Sequence, residues 1–213
     1  MKFSIVLANT TRSKEYTKQL LINKLVPKKI IYYCKNKNIK FFNMLKKFKT
    51  KIVFYSTNNI NNKNITDEIN NSNSRYIVYS GYPGEIIASD ILQNKKIIHC
   101  HPGMLPNYGG STVLYYSLLT QKKIFCTCLI LNKKIDDGKI LYIEKFKKPK
   151  KIKSIEKEYD DKIRAKTLIS FLKGRNSLLI NKRVKKKLNY YIAHPIIRQL
   201  VINPSIFSFL KDK

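Results

Sequence analysis

Tryptophan is absent from this chain, glycine occurs only seven times, and 13 acidic residues stand against 43 lysines and arginines. No apolar run is long enough to cross a bilayer as a helix, so a membrane-spanning protein is not expected. No segment repeats, which argues against a solenoid or propeller. The four cysteines, Cys34, Cys100, Cys126 and Cys128, form no Cys-x-x-Cys knuckle. A zinc site built from them with His99 and His101 is therefore disfavoured, and no metal is expected. The stretch from Phe3 to Ala8 is too short for the apolar core of a secretory leader and reads as a first strand. Free thiols in a reducing cytoplasm follow. The turn after that strand, Asn9-Thr10-Thr11-Arg12, has no glycine to expose backbone N–H groups to a phosphate.

The abundance of positive charge needs its own account. A formal net charge of +30 suggests a polyanionic partner. Most of it, however, is lysine spread along the chain beside much Asn, Ile and Tyr, with only short clusters such as Lys147 to Lys151 and Lys182 to Lys187. Codons rich in A and T would produce that mixture without any binding function. Adhesion to polyanions at low salt, lost as salt rises, is expected, but not specific nucleic-acid binding.

Length and a hydrophobic content of 43% fit one well-packed domain with a small C-terminal appendage. The order of elements is that of an α/β protein. Strands are expected from Phe3 to Ala8, Lys29 to Cys34, Lys51 to Ser56 and Arg75 to Ser80. Helices are expected between them: Glu15 to Leu25 with Ser13 as cap, Phe41 to Phe48, and one beginning at Thr66 after a polar turn from Asn58 to Asn64. Such βα repeats require a mostly parallel, twisted sheet with helices on both faces. Ser111 can cap a helix from Thr112 to Leu119; strand, turn and strand then run from Ile124 to Phe146. Residues 1–150 are read as the main domain. In residues 151–213, helical spacing from Ser154 to Leu172 is closed by Gly174, and a short strand near Leu188 and a terminal helix follow. His194 reads as structural.

The apolar run Lys95-Lys96-Ile97-Ile98 leads into His99-Cys100-His101-Pro102-Gly103-Met104-Leu105-Pro106. On an extended segment His99 and His101 share a face and Cys100 takes the other, and Pro102 ends the ladder. Open α/β sheets present reactive groups at such strand ends. Further along, Asp136-Asp137-Gly138-Lys139-Ile140 forms a short acidic turn between two apolar runs.

Together the two segments resemble the N10-formyltetrahydrofolate-dependent formyltransferases, whose pattern is Asn-x-His-Pro-(Ser/Gly)-x-Leu-Pro followed by a turn ending in Asp-x-Gly-x-Ile. The spacing between the segments agrees, and the resemblance extends over residues 75 to 145. It implies a Rossmann-like fold, N10-formyltetrahydrofolate as formyl donor, and catalysis by His101 and Asp136. His101 would donate to the developing oxyanion, and Asp136 would orient it and accept the amine proton through a water. One position departs: His99 stands where the family has asparagine. Its imidazole would supply the missing N–H, as neutral tautomer or as cation.

The resemblance also implies a folate site from Ser80, Gly81, Tyr82, Gly84, Ile86, Ile135 and Asp137, although Gly81-Tyr82-Pro83-Gly84 is equally an ordinary strand-to-helix turn. Pro102, Gly103, Tyr108 and Gly110 would form the substrate loop. The acceptor is a small-molecule amine. The glycine-free first turn disfavours glycinamide ribonucleotide, and tRNA-directed members carry a further domain for which this length leaves no room. An amino sugar, free or nucleotide-linked, is left by elimination. A hydrolase releasing formate and a noncatalytic basic module are the rival classes. A homodimer is left open.

Overall fold

β1 (Phe3–Ala8) is buried along its whole length, as a central parallel strand covered on both faces must be. In the computed structural model, which describes residues 1–149, 155–175 and 192–203, it lies in the middle of a seven-stranded sheet. The chain runs β1, α1 (Thr11–Ile22), β2 (Lys29–Tyr33), α2 (Ile39–Lys46), β3 (Lys51–Tyr55), α3 (Lys63–Asn70), β4 (Tyr76–Ser80), α4 (Ser89–Asn94) and β5 (Lys96–His101). It continues through α5 (Val113–Gln121), β6 (Ile124–Ile130), β7 (Lys139–Phe146), α6 (Asp160–Leu172) and α7 (Pro195–Ile202). The strand order is β3-β2-β1-β4-β5-β6-β7. The first five strands pair in parallel, and β6 and β7 run antiparallel. This is the mostly parallel α/β architecture expected.

Alternation along β1 divides the core in two. Phe3, Ile5 and Leu7 point into a cluster with Tyr16 and Leu20 of α1 and Ile163 and Leu168 of α6. Val6 and Ala8 point the other way, to Ile65 and Ile69 of α3 and Ile91 of α4. Because successive strand side chains face opposite sides, both faces need helices, and both have them. Ser4 is buried between strands without an apolar partner; its hydroxyl donates to Ser74 Oγ at 2.8 Å, which satisfies it.

Several boundaries differ from expectation, for local reasons. Thr10, not Ser13, caps α1, its side chain accepting from Ser13 N. The Ser13 hydroxyl is buried and donates to Ser80 O at 2.9 Å, which ties α1 to the end of β4. Helix α3 begins at Lys63 because Asn62 caps it, inside the stretch expected to be a turn. Thr112, not Ser111, precedes α5, in a left-handed conformation and without a side-chain cap. The helix expected from Ser154 is a π-helical turn, Ile155–Tyr159, running directly into α6. The strand expected near Leu188 lies outside the described residues.

The order places the reversal of winding between β1 and β4, the position where open α/β sheets bind ligands at their carboxyl ends. Beyond β5 the chain is pinned by the β6–β7 hairpin. There Gly138 comes so close to Ile130 that a Cβ would lie 1.7 Å from the Ile130 carbonyl oxygen. By contrast Gly84, with φ +79°, has open space around a Cβ. Gly138→Ala should therefore destabilise the protein more than Gly84→Ala. The second carries only a left-handed penalty of about 1–2 kcal/mol; the first forces backbone apart, at the upper end of the roughly 1–3 kcal/mol typical of overpacking. Denaturant unfolding of both variants measures the order, and equal losses would contradict the close approach.

Candidate active site

The site starts from the end of β5. Cys100 faces the core against Cys126 and Cys128, so its neighbours His99 and His101 face the other way. His101 is buried, at 3% exposure, and both its ring nitrogens meet oxygen acceptors. Nε2 donates to the Tyr108 carbonyl at 2.7 Å, and Nδ1 lies 3.2 Å from Asp136 Oδ1. A carbonyl can only accept, and so can a carboxylate; a neutral ring can serve only one of the two.

Asp136 holds two segments at once. Its Oδ1 faces His101, while Oδ2 accepts from Gly110 N at 2.6 Å. Burial works against the carboxylate, but the hydrogen bond and charge of His101, together with the Gly110 N–H, outweigh it and keep the carboxyl below its ordinary range. The residue has φ +53°, the left-handed region that Asp tolerates better than most side chains. Asn132 steadies this turn by donating to Asp137 O at 2.7 Å and accepting from Lys134 N at 2.8 Å.

The loop after His101 folds back on the strand. Thr127, opposite His101 in β6, donates to Gly103 O at 2.6 Å and accepts from Leu105 N at 3.1 Å. Tyr108 turns its phenol away, to Thr120 at 2.7 Å and Gln121 at 3.2 Å. Gly103 is required for space. A Cβ there would meet Tyr108 O at 2.6 Å, His101 Nε2 at 2.8 Å and Val113 Cγ2 at 2.8 Å.

Across the crevice, Glu85 organises the segment after β4. Its Oε2 accepts from the phenols of Tyr33 at 2.5 Å and Tyr79 at 2.8 Å and from Tyr82 N at 2.6 Å, while Oε1 accepts from Ile60 N at 3.2 Å. Burial first, then the negative neighbour, pushes the Tyr79 phenol upward, so it stays a donor. Arg12 holds the same segment from below, with Nε on Ser80 Oγ at 3.2 Å and Nη2 on Gly81 O at 2.6 Å.

A cavity of about 520 Å³ joins these parts. His99, His101, Asp136, Pro102 and Gly110 line it, as do Tyr82, Gly84, Ile86 and Ile135. Not every expected residue does. Ser80 and Gly81 lie beneath the wall as acceptors for Arg12, and Gly103 and Tyr108 shape the loop from behind. Asp137 is also outside the lining and contributes its carbonyl to the turn. Conversely Thr10, Thr11, Arg12, Glu156, Asp160, Asp161 and Arg164 line the cavity without having been singled out for it. Only Arg12 and Arg164 left a signal. In a chain where lysine is the default cation, six arginines are a minority, and these two make the forked contacts that lysine cannot.

Among the described residues no group of His, Cys, Asp and Glu stands close enough to hold a metal, and no helix is long and apolar enough to cross a membrane. The cysteines are free and buried, and burial pushes the Cys100 and Cys126 thiols well up.

The formyl transferase family profile matches residues 4–167, which takes in the sheet, the loop and most of α6. The chain belongs to the formyl transferase family. Methionyl-tRNA formyltransferase from Finegoldia magna is 32% identical over 92 residues, 42% of this chain and only 29% of that protein's length. Two solved structures share the fold at lower identity. A sugar N-formyltransferase from Shewanella sp. FDAARGOS_354 superposes with TM-score 0.60 at 17% identity, over 95% of this chain and 88% of that one. Phosphoribosylglycinamide formyltransferase from Campylobacter jejuni gives TM-score 0.60 at 18% identity, over 81% of this chain and 95% of its own. The formyl donor of this family is N10-formyltetrahydrofolate.

The Asp136 carboxyl, depressed in the folded state, contributes stability that is present above its unfolded pKa of about 3.9 and is lost as pH falls through the folded value. Thermal melts should therefore show Asp136→Asn less stable than the wild type above about pH 5, with the gap narrowing toward pH 2. A gap that stays constant over that range would mean the carboxylate charge contributes nothing.

Proposed function

We propose that this formyl transferase family member moves a formyl group from N10-formyltetrahydrofolate to the primary amine of an amino sugar, free or nucleotide-linked. The observation that carries the reading is the buried His101–Asp136 pair, tied to the Gly110 N–H at the wall of the cavity. The donor supplies a formyl on a weakly basic aryl amine. His101 donates a hydrogen bond to the formyl oxygen as negative charge develops there, for which its Nε2 must be shared with, or released from, the Tyr108 carbonyl. As the acceptor amine attacks the formyl carbon, Asp136 orients the ring and takes up, through a water, the proton the amine loses; the bond from the formyl carbon to the donor nitrogen then breaks, and that proton passes to the departing tetrahydrofolate amine. His99 stands beside the pair as a further donor.

The cavity walls fit a flat, partly apolar donor. Ile86, after β4, and Ile135, in the β6–β7 turn, are large hydrophobics left 66% and 59% exposed, and both line the cavity. A ring held between them would cover surface that otherwise faces water, with Tyr82 and the segment held by Glu85 and Arg12 as the floor. The opposite side carries Tyr115, Glu156, Asp160 and Asp161. Carboxylates suit sugar hydroxyls and an ammonium, and they repel phosphate. Asp160 and Glu156 are paired with Arg164 and Arg198, Arg12 is committed to Ser80 and Gly81, and Lys133 and Lys134 also line the cavity. In this reading residues 1–150 carry the His101–Asp136 pair, α6 and the turn before it add Glu156, Asp160, Asp161 and Arg164 to the wall, and the protein works on small molecules in the cytoplasm.

Incubation with N10-formyltetrahydrofolate and a panel of amine acceptors tests the reading. Formylated amino sugar is the expected product, with His101→Ala and Asp136→Ala each losing about 10²-fold or more in turnover. The double variant should lose little beyond the worse single, since the two act as a unit. Formate released without any acceptor would make the protein a hydrolase instead. Formylation of glycinamide ribonucleotide or methionyl-tRNA alone would overturn the acceptor assignment.

A further inference from the structure

His99 is the position where this chain departs from the family pattern, and its surroundings determine what form the ring takes. From α6, Arg164 brings Nη1 to 3.4 Å from His99 Nε2 and donates with the same atom to Cys100 O at 2.9 Å. Its Nε faces both carboxylate oxygens of Asp160 at 3.0 Å, so the guanidinium is held at its other end as well. A guanidinium has donors and no acceptor. Nε2 of His99 must then carry its lone pair toward Arg164, because a proton there would set N–H against N–H. The single proton of a neutral ring is left for Nδ1, which is buried and without a hydrogen-bond partner.

We propose that Arg164, anchored by Asp160, is a positioning residue that holds His99 as a neutral imidazole with its proton on Nδ1. The ring thereby imitates the amide donor of the family's asparagine: it donates and does not titrate. The charges around it agree. Burial first, then Arg12 from α1, Arg164 from α6 and His101 on its own strand disfavour the cation, and only Asp136 favours it. From β4 the Tyr79 ring packs at 6.3 Å between centroids and is a phenol kept protonated by its own burial. Burial, joined by two guanidiniums that the motif does not include, thus disfavours the cationic form of His99 considered from the sequence.

What the Nδ1 proton is for rests on the proposed formyl transfer, but where the proton sits does not, so the two are tested separately. Long-range ¹⁵N–¹H correlation spectra of the full-length protein with labelled histidine report each ring's tautomer, and His99→Asn assigns the signals. Wild-type His99 should show a protonated Nδ1 and a bare Nε2, unchanged between about pH 6 and 8. Arg164→Met, which cannot donate, should shift the ring toward the Nε2–H form and let it titrate; Arg164→Lys, which still donates, should restore the wild-type spectrum. A wild-type His99 protonated on Nε2, or titrating in that window, would overturn the proposal, and this reading needs no Arg164 variant to fold. In turnover, Arg164→Met should cost up to about 10²-fold, the worth of one such donor, mainly in kcat. It should cost less in a His99→Asn background, where the amide donates regardless of Arg164. An equal cost in both backgrounds would mean that Arg164 acts independently of His99. A protein with the expected tautomer that formylates no amine would leave the proposal standing and remove the functional reading.

Discussion

A single carboxylate joins the two halves of the site. Asp136 is separated from His101 by a helix and a strand, yet it touches the ring with one oxygen and the Gly110 N–H with the other. The first contact orients the ring, and the second fixes the far end of the loop that covers it. That geometry requires the β6–β7 turn to come back over the end of β5. It does so because β6 pairs antiparallel with β5 and Gly138 lets the hairpin close against Ile130. The chemistry at the strand end therefore depends on the antiparallel part of the sheet. The parallel part supplies the opposite wall, where Glu85 collects two phenols and two backbone N–H groups.

Electrostatics sharpen the contrast between this site and the remainder of the molecule. The chain carries a formal charge of +30, and its acidic residues are few. Five of the 13 nonetheless line the cavity: Glu85, Asp136, Glu156, Asp160 and Asp161. Where lysine is abundant by composition, a carboxylate is the informative residue, and here carboxylates are used as anchors. Each of three holds a donor in place: Asp136 holds His101, Asp160 holds Arg164, and Glu85 holds Tyr79. The overall positive charge and the chemistry are thus separate properties of the chain, and one gives no guide to the other.

Much of this was legible in the sequence, and the reasons differ by element. The strands were readable because buried parallel strands are short β-branched runs, and the end of β5 because proline stops it. Asp136 was readable through its resemblance to a family turn and its place between two apolar runs. Helix starts were less so: Thr10 and Ser13 are both good caps, and the choice depends on Ser80, 67 residues beyond Ser13, which takes the Ser13 hydroxyl. Tyr108 was expected at the substrate side because it lies in the loop, but its phenol finds Thr120 and Gln121 on α5. Arg164 stood out only by type, as one of six arginines in a lysine-rich chain, and local pattern gave it no role. It sits in an ordinary amphipathic helix, and only the packing of α6 across the end of β5 brings it to His99.

That last contact changes how a departure from a motif should be read. Replacing an asparagine by histidine keeps a donor only if the ring is protonated on the right nitrogen, and water would leave the two tautomers and the cation in competition near neutral pH. A buried guanidinium resolves the competition by geometry, since it accepts nothing, and by charge, since it penalises the cation. Burial works against the Arg164 guanidinium, but the charge and the hydrogen bonds of Asp160, with smaller contributions from Tyr16 and Cys126, together outweigh it and raise its pKa. Asp160, Arg164 and His99 therefore form one unit, running from the carboxylate through the guanidinium to the imidazole. Removing the middle member would free the ring to change form, and removing the first would leave the guanidinium buried without its partner. The substitution at the motif is intelligible only together with the helix that packs against it.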